Sequence, residues 1–355
     1  MFISEKLYEN DIISIASSNI KWSDLKNKNI LITGATGLIG TFLIDLLMYR
    51  NIKFNDCIKI YAIGRNKEKA IKHFKNYINS QYFMFIQQDI IKHFDVEISL
   101  DYIIHGASNT HPIAYANDPI NTILLSVLGT KNILDLAVNN NVTRTLFIST
   151  VEIYGENRGD VEYFNENYCG NIDCNTLRAG YPEGKRTAEA LCQAYIKEKN
   201  IDIIIARSCR VFGPTMGEDD SKVIAQFIKN TVNGNNIILK SIGDQKYSYC
   251  YVADICLALF VLLLNGRSGE AYNVSNNDNI YSLFEIATFV SEYYGTKVIL
   301  DIPSNVESTG YSVVTKALLD NSKLIKLGWK PINPLRESLI KTIEILRKNN
   351  TLLVI

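Results

Sequence analysis

A doubly wound α/β fold is predicted here, a parallel sheet covered on both faces by helices and followed by a smaller C-terminal lobe. Three observations predict it. Ile30-Leu31-Ile32 is an apolar run suited to a buried strand, and Phe42, Leu43, Leu46 and Leu47 follow shortly after at helical spacing. Short apolar runs then alternate with helical segments as far as about residue 206. Beyond about residue 210 the rhythm becomes irregular, with Pro, Gly and Asn interrupting shorter elements.

The elements follow in order. Residues 1–28 read as a helical extension of one or two short polar helices, with no chemistry assigned to them. Ile30–Ile32 is the first strand, Ile58–Ile63 the second, Phe83–Gln87 the third and Tyr102–Ile104 the fourth, ending at His105-Gly-Ala-Ser. Asn121–Asn139 is a long helix with Ile123, Val127, Ile133, Leu134 and Ala137 inward. Thr145–Ser149 is a fifth strand, Tyr181–Lys199 a second long helix and Asp202–Ala206 a further strand. The division expected is 1–28 as the extension, 29–209 as a dinucleotide-binding domain and 210–355 mainly as a substrate lobe, with some segments returning to the sheet.

Between the first strand and its helix stand Gly34, Gly37 and Gly40, three residues apart. Strand, glycine turn and helix together present unpaired backbone N–H groups to a pyrophosphate. A glycine there lets the chain turn tightly or approach a ligand closely, because no Cβ intervenes.

Composition narrows the function classes. Of 355 residues 47% are hydrophobic and 21% charged, enough for a substantial core. Lys+Arg and Asp+Glu number 37 each, so nothing in the charge balance points to nucleic acid or an anionic membrane. The seven cysteines fit no zinc spacing, and dispersed thiols in a chain this size suggest a reducing cytoplasm. Cys169 and Cys174 are close enough in sequence to pair. Met1 to Asn10 lacks an apolar signal core, and the longest apolar stretch, Ile255 to Leu264, is too short to span a bilayer. His105 and His111 lack partners at metal-ligand spacing, so no metal is expected.

Tyr181 and Lys185 stand four residues apart in a helical segment, which puts both on one face. A neighbouring ammonium stabilises a phenolate. Such a tyrosine takes a proton from an alcohol, or returns one to a ketone, while hydride is exchanged with a nicotinamide. Among 20 tyrosines such a pair also arises by chance, so context decides. Here the pair follows a strand ending in Ser149-Thr150, where a hydroxyl can bond the reacting oxygen.

The glycine turn, Asp89-Ile90, His105-Gly-Ala107, Ser149-Thr150, Tyr154-Gly155 and Tyr181/Lys185 together resemble the extended short-chain dehydrogenases. These are the NAD(P)-dependent nucleotide-sugar epimerases, dehydratases and decarboxylases, built on a Rossmann-type sheet. The resemblance spans roughly residues 28–345 and includes Tyr251-Val-Ala-Asp254, Tyr272-Asn-Val and Asp320-Asn-Ser-Lys-Leu with Leu327-Gly-Trp. UDP-glucuronate decarboxylases are most similar, through Glu152-Ile-Tyr-Gly, Arg178-Ala and Glu183-Gly-Lys-Arg.

The resemblance implies roles. Tyr181 is the acid/base, Lys185 holds the nicotinamide ribose and tunes Tyr181, and Thr150 bonds the sugar oxygen. Gly34, Thr36, Gly37, Leu38, Ile39 and Gly40 line the pyrophosphate turn. Asp89 and Ile90 flank the adenine, and His105, Ala107 and Ser149 lie beside the cofactor. Glu152 stands where dehydratases and decarboxylases keep a carboxylate. A nucleotide-sugar substrate and a homodimer formed through the two long helices are implied too.

The departures carry as much information. Val151 replaces the Asp with which dehydratases expel water, so dehydration is disfavoured. Tyr247 occupies the place of a phosphate-pairing arginine, and a neutral phenol does not replace a guanidinium fork. Arg210 stands where an Asn is usual, either to supply that charge or as a structural ion pair; Arg178 is a further candidate for substrate contact. Ser126 replaces a common helix Asn. Gly64 stands where NAD users carry an acid, and Arg65 beside it suits a 2′-phosphate, which favours NADP, or is a solvated strand-end residue. The leading expectation is an oxidoreductase that passes a nucleotide-linked sugar through a transient ketone by epimerase or decarboxylase chemistry. An NADPH-dependent reductase of a nucleotide-linked keto-sugar needs only Tyr181, Lys185 and Thr150. A non-catalytic nucleotide sensor is the remote alternative.

Overall fold

The computed structural model describes residues 5–110, 117–301 and 316–352. His111 and the stretch 303–314, which the sequence suggests as a contributor to specificity, lie outside them. The N-terminal extension is integral to the fold. Helix α1 (Lys6–Ala16) buries Tyr8, Ile12 and Ile15, and the Tyr8 hydroxyl donates to buried Asp45 at 2.8 Å. Asp45 also accepts from Tyr77 at 2.9 Å, and burial pushes its carboxyl up to about 6.

The central sheet is parallel throughout. β1 (Asn29–Thr33) pairs with β2 (Lys59–Gly64), and β2 with β3 (Phe83–Gln87). On the other side of β1 lie β4 (Tyr102–His105), β5 (Arg144–Thr150) and β6 (Ile203–Ser208). The order reverses between β1 and β4, and the ends of these strands open onto the place where ligands bind in such sheets. Ile30, Leu31 and Ile32 are all buried, as a continuous apolar run in a two-sided sheet requires.

The covering helices are α2 (Leu38–Phe54), α3 (Lys67–His73), α4 (Pro119–Leu124), α5 (Thr130–Asn139) and α6 (Gly180–Lys199). The long helix expected over 121–139 is divided: a π turn, Leu125–Gly129, separates α4 from α5. The extra residue in that turn shifts the helical phase, which apolar spacing does not reveal. Ser126 lies buried in this turn, and its hydroxyl donates to Thr122 O at 3.2 Å.

The chain then builds a second, four-stranded sheet. β7 (Arg210–Phe212) pairs with β9 (Lys246–Tyr251), which also carries β11 (Asn276–Ser282) and β13 (Lys316–Ala317). β8 (Ile237–Leu239) pairs with β12 (Val298–Leu300). β10 (Ala271–Val274) returns to the central sheet beside β6 as its seventh strand. Helices α7 (Val223–Val232), α8 (Val252–Asn265), α9 (Leu283–Tyr294), α10 (Ser322–Ile325) and α11 (Leu335–Leu352) complete the chain.

Two of the resembling motifs prove to be one joint. Asp254 accepts hydrogen bonds from the amides of Ile332 and Asn333 at 3.1 Å each, and its carbonyl accepts from the Trp329 indole at 3.1 Å. All seven cysteines are free thiols. Among the described residues no helix is long and apolar enough to cross a membrane.

Candidate active site

The glycine turn forms one wall of a cavity of about 900 Å³. Gly34 adopts φ +70, and a Cβ on it would stand 2.8 Å from Gly106 O. A Cβ on Gly40 would stand 2.4 Å from Gly34 O. No side chain can be added at either place without moving backbone. α2 begins at Leu38 with no side-chain cap. Its first amides therefore have no intrahelical carbonyl to meet, and they suit an anion. Thr36, Gly37, Leu38 and Ile39 line the cavity with these glycines. These residues fit a dinucleotide pyrophosphate.

Thr33 ties the turn to the next loop. Its hydroxyl accepts from the amides of Gly106 and Ala107, each at 3.1 Å. The Thr33 proton is then directed at His105 Nδ1, 2.7 Å away, which leaves Nε2–H to donate to Thr130 at 3.1 Å. Burial first, and Lys185 second, lower the His105 pKa to about 3, so the ring is neutral. His105 is the last residue of β4, buried, and it is not among the residues that line the cavity. Ala107 does line the cavity.

At the end nearest β2 and β3 the cavity is lined by Gly64, Arg65, Asp89 and Ile90, the residues expected to meet the adenosine. Lys69, in the first turn of α3, joins Arg65 there, a residue that sequence reasoning missed. Asp89 also accepts from the amide of Ile91 at 3.1 Å, which shapes the loop.

At the other end Ser149, Thr150, Glu152, Tyr181 and Lys185 line the same cavity. Tyr181 and Lys185 stand one turn apart on α6, and both are buried. Lys185 Nζ donates to Ile148 O at 2.8 Å and sits 4.6 Å above the Phe147 ring. Burial lowers its pKa to about 8. The Ser149 hydroxyl is committed elsewhere: it donates to Glu189 at 2.5 Å. The Thr150 hydroxyl accepts from the amide of Glu152 at 3.3 Å, which leaves its own proton to donate. Arg207 grips Glu189 through Nε and Nη2 at 2.6–3.2 Å, and its Nη1 donates to the Tyr154 hydroxyl at 3.0 Å. This network, absent from any local motif, clamps the end of β5 to α6.

Glu152 receives two cations. Arg178 approaches it at 3.4 Å and Arg210 at 3.5 Å. The Arg210 guanidinium also lies 3.4 Å from the centroid of the Tyr247 ring. Both open readings of Arg210 thus meet in one place, because the ion pair it makes is itself part of the cavity wall.

A model of the NAD dependent epimerase/dehydratase family matches residues 30–275. The chain is 32% identical over 326 residues to UDP-glucuronic acid decarboxylase 1 of Xenopus tropicalis, covering 92% of this chain and 74% of that one. It is 32% identical over 313 residues to UDP-glucuronic acid decarboxylase 6 of Arabidopsis thaliana, covering 88% and 87%. Among solved structures, DesIV, a dTDP-glucose 4,6-dehydratase of Streptomyces venezuelae with NAD bound, superposes with a TM-score of 0.77 at 21% identity. That match covers 91% of this chain and 98% of that one.

Proposed function

The chain belongs to the NAD dependent epimerase/dehydratase family, and from that premise we propose that it decarboxylates a uridine-diphosphate-linked uronic acid through a transient 4-ketone. One observation carries the reading. Thr150, Glu152, Tyr181 and Lys185 share a cavity with the glycine turn, while Arg178 and Arg210 converge on Glu152 beside them.

When bound, the nicotinamide supplies hydride exchange at the sugar carbon. The chain's own residues do the rest. Tyr181 takes the proton from the C4 hydroxyl, assisted by the Lys185 ammonium. Thr150 donates to the oxygen that becomes the ketone. With a ketone at C4 the C6 carboxylate is that of a β-keto acid. The C5–C6 bond breaks, carbon dioxide leaves, and the electron pair moves into an enolate at O4, where Thr150 and Tyr181 hold the charge. C5 then takes a proton, and Tyr181 gives its proton back to O4 as the hydride exchange is reversed and the alcohol re-forms. The arginines orient the carboxylate before it departs, and Glu152 gathers them at this end of the cavity before the ligand enters. Val151, buried and apolar, offers no acid for expelling water, which supports decarboxylation over dehydration.

We propose NADP over NAD, because Arg65 and Lys69 both face the adenosine end and Gly64 puts no carboxylate there. The same feature favours the reductase reading as the alternative. We further propose a homodimer through α4, the π turn and α6. Ile120, Ile123, Leu128 and Leu177 are exposed on or beside these elements and would be covered by a second copy. Seven free thiols support a cytoplasmic location.

The test is direct. Denatured protein is expected to release NADP, identified by mass spectrometry. Folded protein given UDP-glucuronic acid is expected to evolve carbon dioxide and yield a UDP-pentose. No carbon dioxide from any UDP-uronic acid would overturn the decarboxylase reading; stoichiometric NADPH consumption by a nucleotide-linked keto-sugar would put the reductase in its place. Sedimentation equilibrium is expected to give twice the 40.1 kDa of one chain, and a monomer at micromolar concentration would remove the dimer.

A further inference from the structure

The phenol of Tyr249 is a buried polar group that the reaction above does not use. It stands in the middle of β9, in register with Arg210 on β7 and with Asn276 on β11. The residue is only 1% exposed, it lines the cavity, and its hydroxyl has no hydrogen-bond partner among the described residues. The neighbouring tyrosines of the strand are engaged. Tyr251 donates to Asp11 at 2.6 Å, and Tyr247 lies under the Arg210 guanidinium. The Tyr249 ring meets that of Tyr247 edge-on, with centroids 6.5 Å apart.

An unmatched buried hydroxyl costs stability, and phenylalanine would fill the same space without that cost. Burial pushes the phenol well above its ordinary pKa, and the nearby Arg210 charge only partly opposes this. The group therefore remains an O–H donor at any working pH. The charge around it is lopsided too, since two guanidiniums, Arg178 and Arg210, face the single carboxylate of Glu152. A donor without an acceptor, beside a surplus of positive charge, fits an anionic oxygen.

We infer that the Tyr249 hydroxyl and the Arg210 guanidinium form a paired donor subsite for an anionic oxygen of the nucleotide sugar, either of its diphosphate or of its uronic carboxylate. This rests on the nucleotide-sugar reading of the cavity. Arg210 supplies the charge and loosens from Glu152 as the ligand enters. Tyr249 supplies a directional donor from the adjacent strand. Because β7 and β9 are hydrogen-bonded in register, the two side chains leave neighbouring places on the sheet.

The test is Tyr249→Phe in the holoenzyme, with calorimetric titration of UDP, UDP-glucose and UDP-glucuronic acid beside a thermal unfolding curve. Affinity is expected to fall about tenfold, the scale of one hydrogen bond to a charged group. The unfolding midpoint is expected to stay or rise. A loss shared by all three ligands assigns the diphosphate, and a loss confined to UDP-glucuronic acid assigns the carboxylate. Arg210→Lys, which keeps the charge but loses the fork, is expected to weaken the same ligand. Affinities within twofold of wild type for every ligand would overturn the subsite. So would a midpoint lowered by several degrees, which would mark the hydroxyl as bonded within the fold. If wild-type protein binds no uridine nucleotide, the substrate reading fails on its own, and the same comparison with dTDP, CDP and GDP decides the subsite.

Discussion

Tyr181→Phe is expected to lower turnover about a thousandfold while leaving the cofactor bound, which is the scale of a lost general acid/base. The phenol oxygen is the only atom removed. The ring keeps its buried place on α6, so packing is preserved. Lys185 does not depend on that oxygen for its position: the Ile148 carbonyl and the Phe147 ring hold its ammonium from the side of the sheet. The glycine turn, far along the cavity, is untouched. Turnover of UDP-glucuronic acid and mass spectrometry of the released cofactor, measured on the same preparation, check both halves of the expectation. Residual turnover within tenfold of wild type would move the proton-transferring role away from Tyr181. Glu152 would then be the next group to test, because it lines the same end of the cavity.

What could be read in the sequence and what could not divide along a physical line. Gly34, Gly37 and Gly40, and the Tyr181–Lys185 pair, are local patterns whose geometry follows from a turn or a helix face. The buried strands are equally local, because a two-sided parallel sheet demands unbroken apolar runs. Long-range partners leave no such trace. Glu189 lies 40 residues from Ser149 and 18 from Arg207, so no spacing announces that the three meet. His105 reads as the start of a loop, yet its ring is placed by Thr33, 72 residues earlier, and Thr130, 25 later. Arg210 and Tyr247 each stand out as departures from the family, but only the pairing of β7 with β9 shows that they touch. Tyr249 resembles any core aromatic in a strand until its hydroxyl is found buried without a partner, on a residue that lines the cavity.

Arg207 should show the largest effect on stability, although it makes none of the contacts that place Tyr181, Lys185 or Arg210. Its guanidinium meets Glu189 at 2.6 Å and donates to the Tyr154 hydroxyl at 3.0 Å and to Glu166 O at 2.8 Å. Both side chains of the pair are nearly buried, 13% and 10% exposed. Arg207→Met would leave the Glu189 carboxylate with the Ser149 hydroxyl as its remaining close donor. Stranding a buried charge in this way costs about 3–5 kcal/mol, which corresponds to roughly 10 °C in the unfolding midpoint of a domain this large. Replacing both partners, Arg207→Met with Glu189→Leu, removes the stranded charge and is expected to restore most of the midpoint, because a well-packed apolar pair often equals a buried ion pair. Turnover should not recover with it. Ser149 immediately precedes Thr150, and without Glu189 nothing ties its hydroxyl to α6, so the Thr150 donor loses its fixed distance from Tyr181. Denaturant unfolding and kcat measured on the single and double variants separate the two effects. Recovery of both together would reduce the network to a packing role, while a single variant within about 1 kcal/mol of wild type would show that water screens the pair.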